Sequence, residues 1–448
     1  MKKMSVFILF IIMTIGLSGC SSKAKTPIEI FNFEYKVIEN LLNEDEKDNE
    51  DYVAKYETIY TASLTSLNLD SDSMFNDEFY DYITVPSTVS YEKNNYTVDT
   101  IATSSFLNHS YIKTIVLPST ITSIEASAFY NCINLQKINL PSSLKELGAY
   151  AFRNCYSLAS ITIPKQITVI NEYTFTYCTS LKSVTLGSSV ETISNYAFYN
   201  NYSLSKISFS SSVTSIGTYA FYNCYALESI SLPSSLITIG ASAFQYCISL
   251  ESVSIPKNVT DINDSAFAYC YNLSSIKFSS SVTTIGNFVF NNCFSLTSVT
   301  LPTKLENLGH SVFYQCKALK SVKLPSTITT IPSSTFYGCL SLTSVDMSNN
   351  ITEIGNNTFD GCISLSSIST LTKLTTIGSN AFKDCSNLKE IYLAKSVTTI
   401  YTNAFLNCHL LVISTAYSEG DLPEDWYDTD SYNWNPNGCK IIYDISKK

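Results

Sequence analysis

The sequence predicts an α/β repeat solenoid, a superhelix of short parallel strands and short helical turns with β-rich N- and C-terminal caps. Three observations predict it. Phe stands at 106, 129, 152, 175, 198, 221, 244, 267, 290, 313, 336, 359, 382 and 405, an unbroken step of 23 residues through fourteen units. Three residues after each Phe stands Cys in twelve units, from Cys132 to Cys408, with His109 and Asn201 as the exceptions. Six residues after it stands Leu in thirteen, with Ile112 as the exception. A unit of this length cannot bury its own apolar residues, so successive units must stack and share one core.

Within a unit the order of elements follows from local pattern. The alternation of Ile138 and Leu140, kept at Val184 and Leu186, Ile230 and Leu232, and Val299 and Leu301, predicts a short strand with one buried face. Pro141, Pro164, Pro233, Pro256, Pro302 and Pro325 then stop it, just past the strand where a missing N–H does no harm. Leu144 and Leu147 follow at a spacing of three, Gly148 turns the chain, and the Ala-Phe-x-x-Cys segment reads as one turn of helix.

The consensus Ala-Phe-x-x-Cys-x-x-Leu-x-x-Ile-x-Leu-Pro-x-x-Leu-x-x-Ile-Gly resembles the BspA-like leucine-rich repeat of bacterial and protist surface proteins, over residues 106–411. The segments Tyr82–Pro86 and Tyr96–Ile101 look like that family's β-rich cap, and Trp426–Tyr443 looks like its closing hairpin. The resemblance implies a solenoid displayed for binding, often as an adhesin.

Outside the array, the N-terminus carries Lys2 and Lys3, an apolar run from Val6 to Ile15, and Leu17-Ser18-Gly19-Cys20. A positive start, an apolar stretch too short to span a bilayer comfortably and a small-residue end make a secretory signal. Leu-Ser-Gly-Cys resembles the bacterial lipobox, which implies cleavage before Cys20 and lipidation of its thiol, anchoring the chain in the cell envelope. The expected organisation is a signal peptide over 1–19, a lipidated Cys and acidic tether over 20–51, a β-rich cap over 52–105, the solenoid over 106–411 and a C-terminal cap over 412–448. A short helix or strand is expected around Ile28–Leu42 within the tether.

Composition narrows the function. Of 448 residues 45% are hydrophobic and only 15% charged, which excludes disorder of the chain as a whole. A net charge of −10 offers no basic stripe, so nucleic acid is not an expected partner. The 14 cysteines lack zinc spacing, and the isolated run Cys132, Cys155, Cys178 before Asn201 cannot pair off completely, so buried reduced thiols are favoured. His109, His310 and His409 form no cluster, no nucleophile elbow or P-loop occurs, and no reaction, metal or cofactor is expected. The acidic stretch Asp421, Glu424, Asp425, Asp428, Asp430 does not fit a calcium loop.

Two surface constellations remain. The outward strand positions form a hydroxyl ladder, Ser160 and Thr162, Ser183 and Thr185, Ser252 and Ser254, Ser298 and Thr300, without a base for catalysis. Two residues before Phe stand Tyr150, Tyr173, Tyr196 and Tyr219 in successive units, with Tyr156, Tyr202 and Tyr225 nearby. Tyrosine joins an apolar ring to a polar tip and is enriched in binding surfaces, so this stripe is the candidate ligand site; a ladder that only stiffens the solenoid is the alternative. The expected partner is an extracellular protein or glycan, in adhesion or matrix contact. An envelope scaffold without external ligand is the rival expectation.

Overall fold

The structure is a computed structural model and describes residues 31–41, 56–67, 82–91, 93–423, 426, 433–436 and 438–445. Cys20 and the acidic run 44–51 lie outside the described residues, as do Glu424, Asp425, Asp428 and Asp430. The chain divides into two compact units, residues 1–190 and 191–448. Each contains a parallel-strand solenoid of 23-residue rungs.

In the first unit, strands β1 (Phe31–Leu41) and β2 (Tyr56–Leu67) pair antiparallel, with a register shift at Asn32/Phe33. A third strand, β3 (Tyr82–Thr84), precedes a hairpin of β4 (Thr88–Tyr91) and β5 (Asn94–Ile101). The long strand β5 lies parallel to β2 and hands its last two residues to the repeats, where Thr100 and Ile101 face Ser123 and Ile124. The strand β3 does the same for a second ladder by pairing with Thr114–Val116. Two parallel ladders therefore start from strands whose buried face is already set by alternation, as at Tyr96 and Val98.

Each rung contributes to both ladders. Its first strand runs from an isolated bridge, as at Ser229, to four residues at Glu390–Leu393, and is usually exposed-buried-exposed, as in Ser160–Thr162, which pairs in register with Ser183–Thr185. In the second unit Ser298–Thr300, Ser321–Lys323 and Ser344–Asp346 repeat this. The second strand is a two-residue step such as Thr192–Ile193, which continues through Ser215–Ile216 and Thr238–Ile239. Two residues are too short to show a period, which is why the sequence reading saw only a Leu-x-x-Leu spacing there.

The expected helical turn is absent: among the described residues no α-helix occurs, and the Ala-Phe-x-x-Cys segment is a run of β-turns. The cause lies two residues on either side of each Phe. Around Phe129, Ser127 has φ 56° and Asn131 φ 60°; around Phe152, Tyr150 has φ 60° and Asn154 φ 63°. A right-handed helix needs negative φ throughout and amides that all point along its own axis. Here alternate amides leave the rung. Ser127, Phe129 and Asn131 donate to the carbonyls of Ala149, Ala151 and Arg153 in the next rung at 2.8–2.9 Å, whereas Tyr130 and Cys132 bond back three residues at 3.0 and 3.2 Å.

These crossing bonds place one Phe over the next. In the first unit Phe106, Phe129, Phe152 and Phe175 stack with centroids 5.0, 5.1 and 5.4 Å apart. In the second a stack runs from Phe198 through Phe405, for example Phe244–Phe267 at 5.4 Å and 3°. Every ring in both stacks is fully buried. Each should contribute about 1.5–3 kcal/mol by burial. The indole of Trp434 meets Phe405 edge-on at 6.0 Å and 77° and ends the stack, while its Nε1 donates to the Trp426 carbonyl at 2.6 Å.

The cysteines form a second internal ladder. All twelve from Cys132 to Cys408 are buried thiols. Each thiol donates to the carbonyl of the Phe 26 residues earlier, as in Cys132 to Phe106 at 3.0 Å, Cys270 to Phe244 at 3.2 Å and Cys408 to Phe382 at 2.9 Å. The offset equals one period plus three, so the thiol reaches into the preceding rung. At the C-terminal end Lys440–Ile442 adds parallel to Val412–Thr415. Among the described residues closure is one further parallel strand; residues 427–432 and 437 of the segment expected to form a closing hairpin lie outside them.

Candidate ligand-binding surfaces

The β-turn segment gives most rungs three rows that reach the surface, at two residues before the Phe and at one and four after it. Positions three apart across a turn are neighbours, and the crossing backbone bonds set the same row one rung further on. The row two before Phe carries the expected tyrosines. In the first unit Tyr150 and Tyr173 stack at 4.8 Å and 7°; in the second Tyr196 and Tyr219 stack at 5.0 Å and 16°. All four are half-buried, and all four have φ between 56° and 60°. Bulky residues seldom adopt that conformation, and the inter-rung bonds Tyr150 to Glu172 and Tyr196 to Thr218, both 3.0 Å, hold it.

The structure adds a row that the sequence reading did not single out and stacks two of the tyrosines that it named beside the stripe. In the second unit Tyr199 and Tyr222, one after Phe, stack at 5.0 Å, and the exposed pair Tyr202 and Tyr225, four after Phe, also stacks at 5.0 Å. Tyr196 meets Tyr199 at 5.6 Å, and Tyr219 meets Tyr222 at 5.4 Å. Six tyrosines thereby tile two successive rungs. A further pair, Tyr246 and Tyr269, stacks at 4.3 Å. Burial, then the neighbouring Tyr269 and Tyr222 hydroxyls, push the Tyr246 phenol from 10.0 up to about 12. The signal for these rows was the recurrence of Tyr at fixed offsets from Phe; it is legible only once the turn geometry says which offsets face outward.

Ring faces in these stacks are largely taken by one another, so the surface offered to a ligand is ring edges and hydroxyl tips, apart from the ends of each stack. In the first unit the stack has a cation beside it. The guanidinium carbon of Arg153 lies 5.7, 5.6 and 5.7 Å from the centroids of Tyr130, Tyr150 and Tyr173. Beneath the tyrosines, asparagines two after Phe bond rung to rung, Asn131 to Asn108 at 2.8 Å and Asn154 to Asn131 at 2.6 Å.

The strand face carries the hydroxyl ladder where the alternation puts it, with Ser160, Thr162, Ser252, Ser254, Ser298 and Thr300 exposed around buried Ile161, Val253 and Val299. The ion pair Lys323–Asp346 on this face, at 3.5 Å, is largely exposed and contributes little. His109 takes the Cys position of the first rung; burial lowers its pKa, and its Nδ1 pairs with the Tyr111 hydroxyl at 3.0 Å. In the last rungs Lys383 bridges Asp360 at 3.4 Å and Asp384 at 2.9 Å. Burial raises the Asp360 carboxyl against the pull of Lys383.

Comparison with known proteins bears on the fold and family. A repeat profile described as the BspA type leucine rich repeat region, in six copies, matches residues 99–228, 191–319 and 283–412. No curated protein matches the chain. Among solved structures, a leucine-rich repeat protein from Bacteroides ovatus superposes with a TM-score of 0.65 at 25% identity, covering 91% of this chain and 98% of its own. A leucine rich cell surface protein from Faecalibacterium prausnitzii aligns at 26% identity over 86% of this chain and 94% of its own, with a TM-score of 0.45. A leucine-rich repeat protein from Eubacterium ventriosum aligns at 25% identity over 83% and 93%, with a TM-score of 0.46.

Proposed function

Because the chain belongs to the BspA-type leucine-rich-repeat family, we propose that it is a binding protein displayed on the bacterial cell envelope, engaging an extracellular protein or glycan in adhesion or matrix contact, without catalysis. The observation that carries this reading is the tiling of Tyr196, Tyr199, Tyr202, Tyr219, Tyr222 and Tyr225 over two rungs. The side chains are amphipathic and their backbone is fixed by inter-rung hydrogen bonds, so little ordering entropy remains to be lost on binding. Export and lipidation at Cys20 belong to the same proposal and rest on the sequence Leu17-Ser18-Gly19-Cys20. Replacing Cys20 by Ser should release the chain from the membrane fraction.

The test of binding is titration of the full chain against a panel of matrix glycoproteins and glycans, beside a Tyr196→Ser/Tyr219→Ser variant. Ser occupies the same position at Ser242, Ser265, Ser311 and Ser334 with the same φ, so the fold accepts it. Saturable binding that the variant loses supports the tyrosine surface. Binding that survives moves the site to another face, and no binding to any member of the panel favours an envelope scaffold instead.

A further inference from the structure

Arg153 is the single arginine of the chain, set among 38 acidic residues and otherwise lysine. Its surroundings are rings. Tyr130, Tyr150 and Tyr173 hold the guanidinium within 5.6–5.7 Å, a distance at which the ring quadrupole attracts a cation. Its Nε is buried without a hydrogen-bond acceptor, and among the described residues the ion pairs are made by lysines and none by Arg153. A guanidinium has five N–H donors in a planar fork. Here the aromatic neighbours fix its position while no protein carboxylate uses that fork.

Beside it the tyrosine stack has an end. One face of Tyr150 is covered by Tyr173 at 4.8 Å, but the preceding rung, joined by the Ser127 to Ala149 bond of 2.9 Å, carries only Ser127 at the same position. Among the described residues no aromatic ring stacks on Tyr150 from that side. A fork of donors fits a carboxylate through two parallel hydrogen bonds, and a ring face beside it takes the C–H face of a flat saturated ring. An acidic side chain of a peptide would satisfy the fork but bring nothing to the ring.

We infer that Arg153 with Tyr130, Tyr150 and Tyr173 forms a receptor for the carboxylate of an acidic sugar. The inference rests on the surface-binding reading and assigns one ligand class and one site within it. Arg153 carries the charge recognition and Tyr150 the stacking; Tyr130 and Tyr173 position the guanidinium.

The experiment titrates the full chain with oligogalacturonate, a neutral galactan oligomer, dextran sulfate and poly-glutamate, at low and at high salt. The wild type should bind oligogalacturonate in preference to the other three, and more weakly as salt screens the charge. Arg153→Gln should weaken that binding about ten- to hundred-fold, the worth of hydrogen bonds between charged groups. Arg153→Lys, which keeps the charge and loses the fork, should fall between. Tyr150→Ser, with the residue found at Ser127, gives a second variant that reports stacking if Arg153→Gln does not fold. Failure of oligogalacturonate to bind, equal binding of the neutral oligomer, or full affinity in both Arg153→Gln and Tyr150→Ser would each overturn the site. Tighter binding of poly-glutamate or dextran sulfate would overturn the sugar carboxylate as its ligand. The Tyr196→Ser/Tyr219→Ser comparison lies in the other compact unit, so its outcome stands apart from this one.

Discussion

A buried thiol is the residue on which twelve of the fourteen rungs turn. Cys155 donates to the Phe129 carbonyl at 3.2 Å, the same oxygen that accepts the Cys132 amide at 3.2 Å, so one carbonyl ties a rung to itself and to the next. Burial pushes the Cys132 thiol from 9.0 up to about 12, and the deeper thiols such as Cys155 and Cys270 are raised as well. A thiol that holds its proton more tightly when folded gives stability that is full below pH 9 and is lost as pH rises towards 12. Each thiol raised in this way adds up to about 1.4 kcal/mol per pH unit in that window. Alkaline unfolding followed by far-UV circular dichroism should therefore fall between these limits. Cys270→Ser, which keeps a donor for the Phe244 carbonyl but has no proton to lose there, should flatten the slope by up to about 1.4 kcal/mol per pH unit. An unchanged slope would contradict this account. The Phe and Cys positions were legible because each is a single residue type at a fixed step. The left-handed tyrosines were not, since nothing in Tyr150 itself announces φ 60°.

At the scale of the element, the β-turn segment and the two-residue strand leave no room between rungs. A Cβ on Gly240 would come within 2.5 Å of the Gly217 carbonyl carbon and the Thr218 nitrogen, while the Gly240 amide donates to Ile216 at 2.8 Å. Backbone cannot move aside there as a flexible side chain would. Gly240→Ala should lower stability by about 1–3 kcal/mol, as overpacking does, and a thermal melt would show it as a lower midpoint. A raised midpoint, the usual gain from removing a glycine's unfolded-state freedom, would show that the rungs can separate. The helical turn was misread for the same reason: the short spacing of Ala, Phe and Cys suits one turn of helix. Hydrogen bonds to another rung, which the segment does not contain, draw it into β-turns.

At the scale of the molecule, each rung is a unit of one period whose partners are its neighbours. Deleting residues 244–266 removes one period and joins Ala243 to Phe267, so the Ala-Phe step and both ladders of the second unit are restored. Deleting only 244–255 breaks the register of every later rung. The first variant should keep the strand spectrum and a cooperative melt, and the second should lose both; equal behaviour would show that rungs do not depend on register. The chain by itself determined the period, the buried Phe and Cys columns, the outward hydroxyls and the tyrosine columns, because a repeat writes each contact many times at one spacing. Tertiary structure decided what lies between rungs: the left-handed backbone, the second strand ladder, the parallel closing strand and the aromatic cage of Arg153. Those depend on bonds and contacts to residues about one period away, which no local pattern records.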